Sequence, residues 1–207
     1  MQQGLFPLFP LQVVLLPGGE LPLHIFEDRY KEMIAEVIRE RQEFGVVLAN
    51  EKGIVSTGCT ATIDRVLREY EDGRMDILTR GRRRFEIVML NEERSFLRGE
   101  VEFFDDDDVA PPSDELQQRA IRSYNELQSL ADGEPLSDLP YDHLSFQLAQ
   151  PVQDLSFRQV LLATRSESER LKRIAEFLPS YMARQRRIQR VKELAPRNGH
   201  AYGHVKE

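Results

Sequence analysis

The chain has 207 residues, 41% of them hydrophobic and 30% charged, enough for a sizeable core in one large domain or two small ones. Its net charge of −7 opposes whole-surface attraction to nucleic acid or to an anionic membrane. The single cysteine, Cys59, excludes an intramolecular disulfide and fits a reducing compartment.

The N-terminus is apolar, but it lacks a basic leader and is interrupted by Pro7, Pro10, Pro17 and Pro22, so it does not read as a signal peptide. No apolar run approaches the roughly 20 residues that span a bilayer, and a cytoplasmic location without membrane contact is expected. An apolar run at residues 13–16 stops at Pro17, turns through Gly18 and Gly19, and resumes at residues 20–26. This pattern predicts two strands with a tight reversal. Pro22 cannot donate a ladder hydrogen bond, so its strand is expected at a sheet edge. Glu27 or Asp28 can cap a following helix, in which Tyr30, Met33, Ile34, Val37 and Ile38 recur at helical spacing as far as Glu40.

Residues 44–49 form a continuous apolar run suited to a strand buried on both faces. Residues 60–70 are β-type with imperfect alternation, which predicts a bulge, and a turn at residues 71–73 leads into a hairpin partner at 75–79. Strands at 85–90 and 96–104 complete a set of about six or seven, most of them antiparallel. Cys59 lies on a predicted strand, as a buried, inert thiol. Residues 105–108 are four consecutive aspartates followed by Pro111 and Pro112. They read as a solvated linker, because a cation site needs spaced ligands and a turn glycine that are missing. Beyond this boundary the period becomes helical. The expected helices are residues 113–131, 142–149 and 155–163, then one capped by Ser166 with Glu169 whose stripe runs through Leu171, Ile174, Leu178, Tyr181, Ile188 and Val191. Pro179 inside that stripe predicts a kink or break. The fold class is therefore α+β. A mostly antiparallel β-domain with one early helix (residues 1–108) precedes a helical bundle (109–195) and a flexible tail (196–207).

Several groups of residues in order resemble the N-terminal substrate-binding domain of the ATP-dependent Lon proteases. They are Phe9, Pro10 and Leu11 with Val13 and Val14; Leu16, Pro17 and Gly18; Pro22 and Leu23; and Arg29 with Tyr30. Residues 57–61, the pair Asp72 and Gly73, and residues 79–85 continue the likeness, which covers roughly residues 5 to 192 and is strongest before Asp105. The resemblance implies a PUA-like pseudo-barrel and a free-standing, non-catalytic module that recognises unfolded polypeptide or a partner protein. The ATPase and Ser-Lys protease of full-length Lon proteases have no counterpart. No G-x-x-x-x-G-K-[ST] occurs and little chain remains after residue 192, so no peptidase activity and no cofactor are expected.

Candidate sites follow. Pro22, Leu23, Phe26 and Tyr30 are the candidate peptide contacts, since a prolyl edge strand leaves backbone groups for an extended peptide. Arg80, Arg82, Arg83 and Arg84 could meet an anion or an acidic partner. The stronger reading makes them an exposed turn at Gly81 whose charges pair with neighbouring acids. Residues 165–197 carry a net +6 and residues 1–164 a net −13. Arg184, Arg187 and Arg190 on the basic terminal helix would serve self-association or a partner, against the alternative of a solvated or internally packed face. His24 reads as a satisfied strand histidine, and His200 and His204 as part of a mobile tail rather than a metal site. Two rival functions remain. One is RNA or other nucleic-acid binding through the PUA-like surface, weakened by the net acidity; the other is an enzyme with an unrecognised small-molecule pocket.

Overall fold

A computed structural model describes residues 5–108, 110–130 and 143–194. Six strands, β1 (Phe6–Leu11), β2 (Glu20–Ile25), β3 (Phe44–Asn50), β4 (Gly53–Glu69), β5 (Met75–Asn91) and β6 (Arg98–Phe104), form one sheet in the order β2-β5-β4-β3-β1-β6. A further β5–β6 pairing closes β5, β4, β3, β1 and β6 into a ring. Among the described residues only β1 and β3 run parallel. The helix α1 (Asp28–Glu40) lies between β2 and β3, and α2 (Asp114–Leu130), α3 (Leu144–Ala149), α4 (Leu155–Ala163) and α5 (Glu167–Leu194) follow the sheet. The α+β class, the mostly antiparallel barrel and the single early helix match the sequence reading.

The ring closes because β4 and β5 are long and bent. Their ladder shifts register at residues 59/61, 63/65 and 66/68, and each irregularity turns the strand further around the barrel. Inside, Leu8, Val47, Phe85 and Val101 make a small apolar plug. Gly45 and Gly58 make room for the Phe85 ring, whose Cζ would stand 2.6 and 2.5 Å from a Cβ at these positions. A second, larger core packs the outer face of the sheet against α1 and the later helices, and it draws on Phe9, Ile34 and Ile77 as well as Tyr124, Leu161 and Leu178. Cys59 is fully buried, and burial pushes its thiol up to about 12.

Four sequence expectations are corrected. Residues 13–16 are not a strand: β1 comes earlier, and Val14, Leu15 and Leu16 are buried in a loop that fills the larger core. The turn at Pro17 therefore makes no hairpin. It docks on β5 instead, with Gly18 N–H donating to Gly81 O and Gly81 N–H to Gly19 O, both at 2.9 Å. Gly81 is likewise no turn. It lies within the 17-residue β5, where a Cβ would sit 2.3 Å from Leu16 O, so its missing side chain serves close approach. Of the kink or break expected at Pro179, the break does not occur: α5 continues to Leu194, its first half held by the buried stripe Leu171, Ile174, Leu178 and Met182. That stripe ends there, and Ile188 and Val191 are exposed. The capping box is half made: Glu169 N–H donates to Ser166 Oγ at 3.0 Å, while the Glu169 carboxylate turns to Arg173. Residues 131–142 and 195–207, including His200, His204 and the loop at 133–140, lie outside the described residues.

The fourth correction concerns the aspartates. Residues 106–108 are tied into the seam between sheet and helices, while Asp105, Asp107 and Asp108 stay exposed as expected. Asp106 accepts from Arg84 Nη2 (2.6 Å) on β5 and from Arg170 Nη1 (2.6 Å) and Nη2 (2.5 Å) on α5. Arg170 is fully buried and also meets Glu167 (2.6 Å), Ser145 Oγ (2.8 Å) and Thr164 O (2.7 Å). Arg84 reaches Thr164 O at 2.8 Å. The neighbours join in, with Asp107 N–H on Arg165 O and Ser168 N–H on Asp108. Burial pushes the Asp106 carboxyl up, yet the two guanidinium groups outweigh it and hold the group below its ordinary value. Burial lowers Arg84, which has this one carboxylate and repels Arg170; Arg170 stays raised because it holds two. A buried pair broken on one side leaves an uncompensated charge. Asp106→Asn should therefore destabilise the fold by about 3 kcal/mol in urea titration at neutral pH. A depressed carboxyl stabilises above its unfolded value of about 3.9 and loses that contribution as pH falls through the lower folded value. The penalty of Asp106→Asn should accordingly shrink below about pH 4. Gly81→Ala, which forces backbone apart, should cost about 1–3 kcal/mol in the same assay.

Candidate functional site

β2 lies outside the closed ring and, with the parts of β5 and β4 beside it, presents one solvent face. Alternation along β2 sends Leu21, Leu23 and Ile25 toward the core and Glu20, Pro22 and His24 outward. Register then places Pro22 beside Leu78 and His24 beside Asp76, with Arg65 and Arg68 next on β4. Beyond Ile25 the chain leaves the strand at Phe26, which is 58% exposed and stacks on His24 with ring centroids 5.8 Å apart. β2 pairs with β5 alone, so its other edge carries no ladder partner among the described residues. The proline falls on that edge strand, as its missing N–H requires.

A polar chain braces this face. His24 Nδ1 lies 2.6 Å from Asp76 Oδ1, and Tyr70 OH donates to Asp76 Oδ2 at 2.7 Å. The His24 and Tyr70 bonds hold the Asp76 carboxyl below its usual value, and the same bond from Asp76 raises the Tyr70 phenol. Arg68 and Arg74 lie over the Tyr70 ring at 4.5 and 4.9 Å. No serine, threonine or cysteine hydrogen-bonds to His24 among the described residues, and Tyr70 spends its proton on Asp76. The chain thus orients the imidazole against Phe26 and assembles no nucleophile–base pair. At the start of β2 a cleft of about 220 Å³ opens between Glu20 and Leu21 on one side and Gln153, Leu155 and Arg158 on the other. Arg158, half-buried, clamps its floor by donating to Val14 O at 3.1 and 2.9 Å and to Ala149, Gln150 and Val152 carbonyls. Burial lowers its pKa.

The sequence candidates fall in different places. Pro22 and Phe26 share the outer face, and Leu23 is partly buried beneath it. Tyr30 does not join them. Its ring packs 4.1 Å from Phe9 in the core, and burial raises its pKa, because position 30 falls on the buried stripe of α1. The arginines are neutralised. Arg80 bridges Asp64 (2.8 Å) and Glu20 (2.6 Å), Arg82 lies 3.8 Å from Asp64, Arg83 pairs with Glu43 at 3.1 Å, and Arg84 is buried on Asp106. The Asp64 carboxyl is lowered by its bond from Arg80, which is raised in turn. Arg184 pairs with Asp154 at 3.4 Å, while Arg187 and Arg190 are exposed on the part of α5 that runs past the core.

Sequence reasoning missed the His24–Asp76–Tyr70 chain, which exists only through strand register. It also missed Arg170, although a signal was present: Arg170 lies four residues before Ile174 and eight before Leu178, a charge on the apolar stripe. Asp106, His143 and Glu167 offer oxygen and nitrogen atoms within 4.8 Å of one another. Both carboxylates are already bonded to guanidinium groups, so a cation placed there would face Arg84 and Arg170, and the donor set does not fit a metal. Among the described residues no helix is long and apolar enough to cross a membrane.

Comparison with known proteins agrees with this geometry. The sequence pattern of the ATP-dependent protease La (LON) substrate-binding domain matches residues 6–182. The Lon protease of Parabacteroides distasonis is 33% identical over 109 residues, 48% of this chain and 13% of that protein. Lon protease 1 of Hydrogenovibrio crunogenus is 30% identical over 115 residues, 51% of this chain and 14% of that protein. The chain therefore spans a small fraction of the length of these relatives. A Lon N-terminal domain protein from Xanthomonas campestris shares the fold with a TM-score of 0.68 and 26% identity, over 84% of this chain and 98% of that one. The N-terminal domain of Mycobacterium avium complex Lon protease gives a TM-score of 0.60 over the same shares, at 18% identity, a likeness of fold alone. A match running from β1 into α5, joined to this barrel and its helices, makes the chain a member of the LON substrate-binding domain family.

Proposed function

We propose that the chain is a non-catalytic polypeptide-recognition module that takes an extended, apolar-rich segment along the free edge of β2. The observation that carries this reading is the unpaired edge of a prolyl strand ending in an exposed phenylalanine. An added strand would find main-chain partners on β2, an apolar contact at Phe26 and Pro22, and the cleft beside Leu21 and Leu155 for a further side chain. The family's description as a substrate-binding domain supports the same assignment. In this reading the barrel carries recognition, the helices brace it through Arg158 and the Asp106 seam, and no bond in the ligand is broken. The ligand is an unfolded segment or the exposed segment of a partner protein. A reducing, cytoplasmic setting accords with the single buried thiol of Cys59.

Backbone pairing with apolar contact tolerates salt, whereas phosphate contact does not. The neutralised state of Arg80, Arg82 and Arg83 argues against the nucleic-acid alternative. On an array of casein-derived unfolded peptides the protein should capture apolar-rich sequences with little loss between low and high salt. Phe26→Asp, at an exposed position, should reduce that capture about tenfold or more with an unchanged unfolding midpoint. Capture that collapses with salt, or that ignores Phe26→Asp, would contradict the reading.

A further inference from the structure

The far end of β5 carries a second open edge with a different chemical character. The β4–β5 ladder ends at Thr57 and Glu86, whereas β5 continues to Asn91. From Ile87 onward it pairs with β6 alone among the described residues, so the edge that faced β4 is free. The side chains there are Val88 (61% exposed), Met89 (51% exposed) and Leu90, an apolar run left in water.

The frame around this run is mainly acidic, with one cation at its far end, where Arg98 lies across from Asn91 and donates to its Oδ1 at 3.3 Å. Glu86 stands directly across from Glu102, and Met89 across from Glu100. Like charges in a cross-strand pair are destabilising, so the Glu86–Glu102 pairing works against the barrel that contains it. Arg165 relieves Glu86 from 3.6 Å, but Glu100 and Glu102 have no cationic partner among the described residues. An apolar strand edge bordered by uncompensated carboxylates is complementary to a ligand that is apolar and cationic at once.

We propose that the end of β5 is a second polypeptide-docking edge, taking an extended segment of a partner protein in which Lys or Arg alternates with aliphatic residues. Alternation follows from the strand itself. An added strand sends successive side chains to opposite faces, one set onto Val88 and Leu90 and the other across β5 toward Glu100 and Glu102. The added strand would lie two spacings, about 9.6 Å, from β6, a gap that a long Lys or Arg stem and a Glu side chain close between them. The edge is independent of β2 and differs from it in charge, so the two sites would select different segments.

The test uses the whole 207-residue chain and a short fluorescent peptide that alternates lysine with valine, beside a matched peptide with glutamate in place of lysine. Fluorescence anisotropy should show binding of the lysine peptide, weakening with salt, and none of the glutamate peptide. Glu100→Lys with Glu102→Lys should lower affinity about tenfold or more. Met89→Lys, which places the wrong charge on the edge without touching either glutamate, should do the same. Phe26→Asp should leave this binding unchanged, which separates the edge from the β2 site. Circular dichroism with urea titration checks that each variant folds. Equal binding of both peptides, or unchanged affinity in the two edge variants, would overturn the proposal. So would sedimentation showing that the edge is filled by a second copy, through self-association lost equally in Glu100→Lys with Glu102→Lys and in Arg187→Glu with Arg190→Glu.

Discussion

Two guanidinium groups share one carboxylate where sheet and helices meet, and the rest of the structure depends on that junction. Arg84 arrives on β5, Arg170 on α5, and Asp106 from the chain that joins them. The arrangement is balanced: Arg84 and Arg170 carry two positive charges, and Asp106 with Glu167 supplies two negative ones. Taking such a group out of water costs several kcal/mol per ion unless every donor is used. Here Ser145, Leu162 and Thr164 accept the donors that the carboxylates do not. The knot fixes how the helices lie on the barrel, and with them Arg158, which holds the buried 13–16 loop under the start of β2.

That loop is what leaves β2 at an edge. Had residues 13–16 formed a strand against β2, as the apolar run and the Pro-Gly-Gly turn suggest, the free edge would have been covered. Instead the turn is pinned to Gly81 in the middle of β5, and β2 crosses to pair with the first half of β5 only. Long, bent β5 then serves two partners in succession, β2 along its beginning and β6 along its end. β2 keeps its outer edge open, and the β4 ladder stops before β5 ends, which opens the second edge. The proposed recognition by strand addition would thus follow from how the barrel closes, and the aromatic character of one edge contrasts with the mainly acidic frame of the other.

Much of the fold was legible in the sequence. The apolar period of α1, the run at β3, the hairpin at residues 71–73 and the helical stripes after residue 113 depend on near neighbours, and these elements were found. What depends on distant partners was not. The four aspartates at 105–108 carry no local mark that one of them will be buried between arginines contributed by residues 84 and 170. Gly81 looks like a turn residue because a glycine needed for a positive φ and one needed for close approach are identical in sequence. Of the candidate site, Pro22 was legible as the mark of an edge strand and Phe26 as a candidate contact, whereas the exposure of its ring was not. Tyr30 was misplaced because helix phase, which decides whether residue 30 faces the core, outweighs its nearness to Phe26. The arginines at 80–84 required strand register before their partners Asp64, Glu20, Glu43 and Asp106 could be seen.

In the proposed mode of recognition, β2 receives an extended segment by main-chain pairing. Amide hydrogen exchange of the intact chain, with and without an apolar-rich unfolded peptide, measures this most directly, since an added strand protects the backbone amides it bonds. New protection is expected on residues 20–26 alone, with the amides of residues 80–84 and of the exposed end of α5 unchanged. Protection of the arginine segment or of α5, with β2 still exchanging freely, would contradict it.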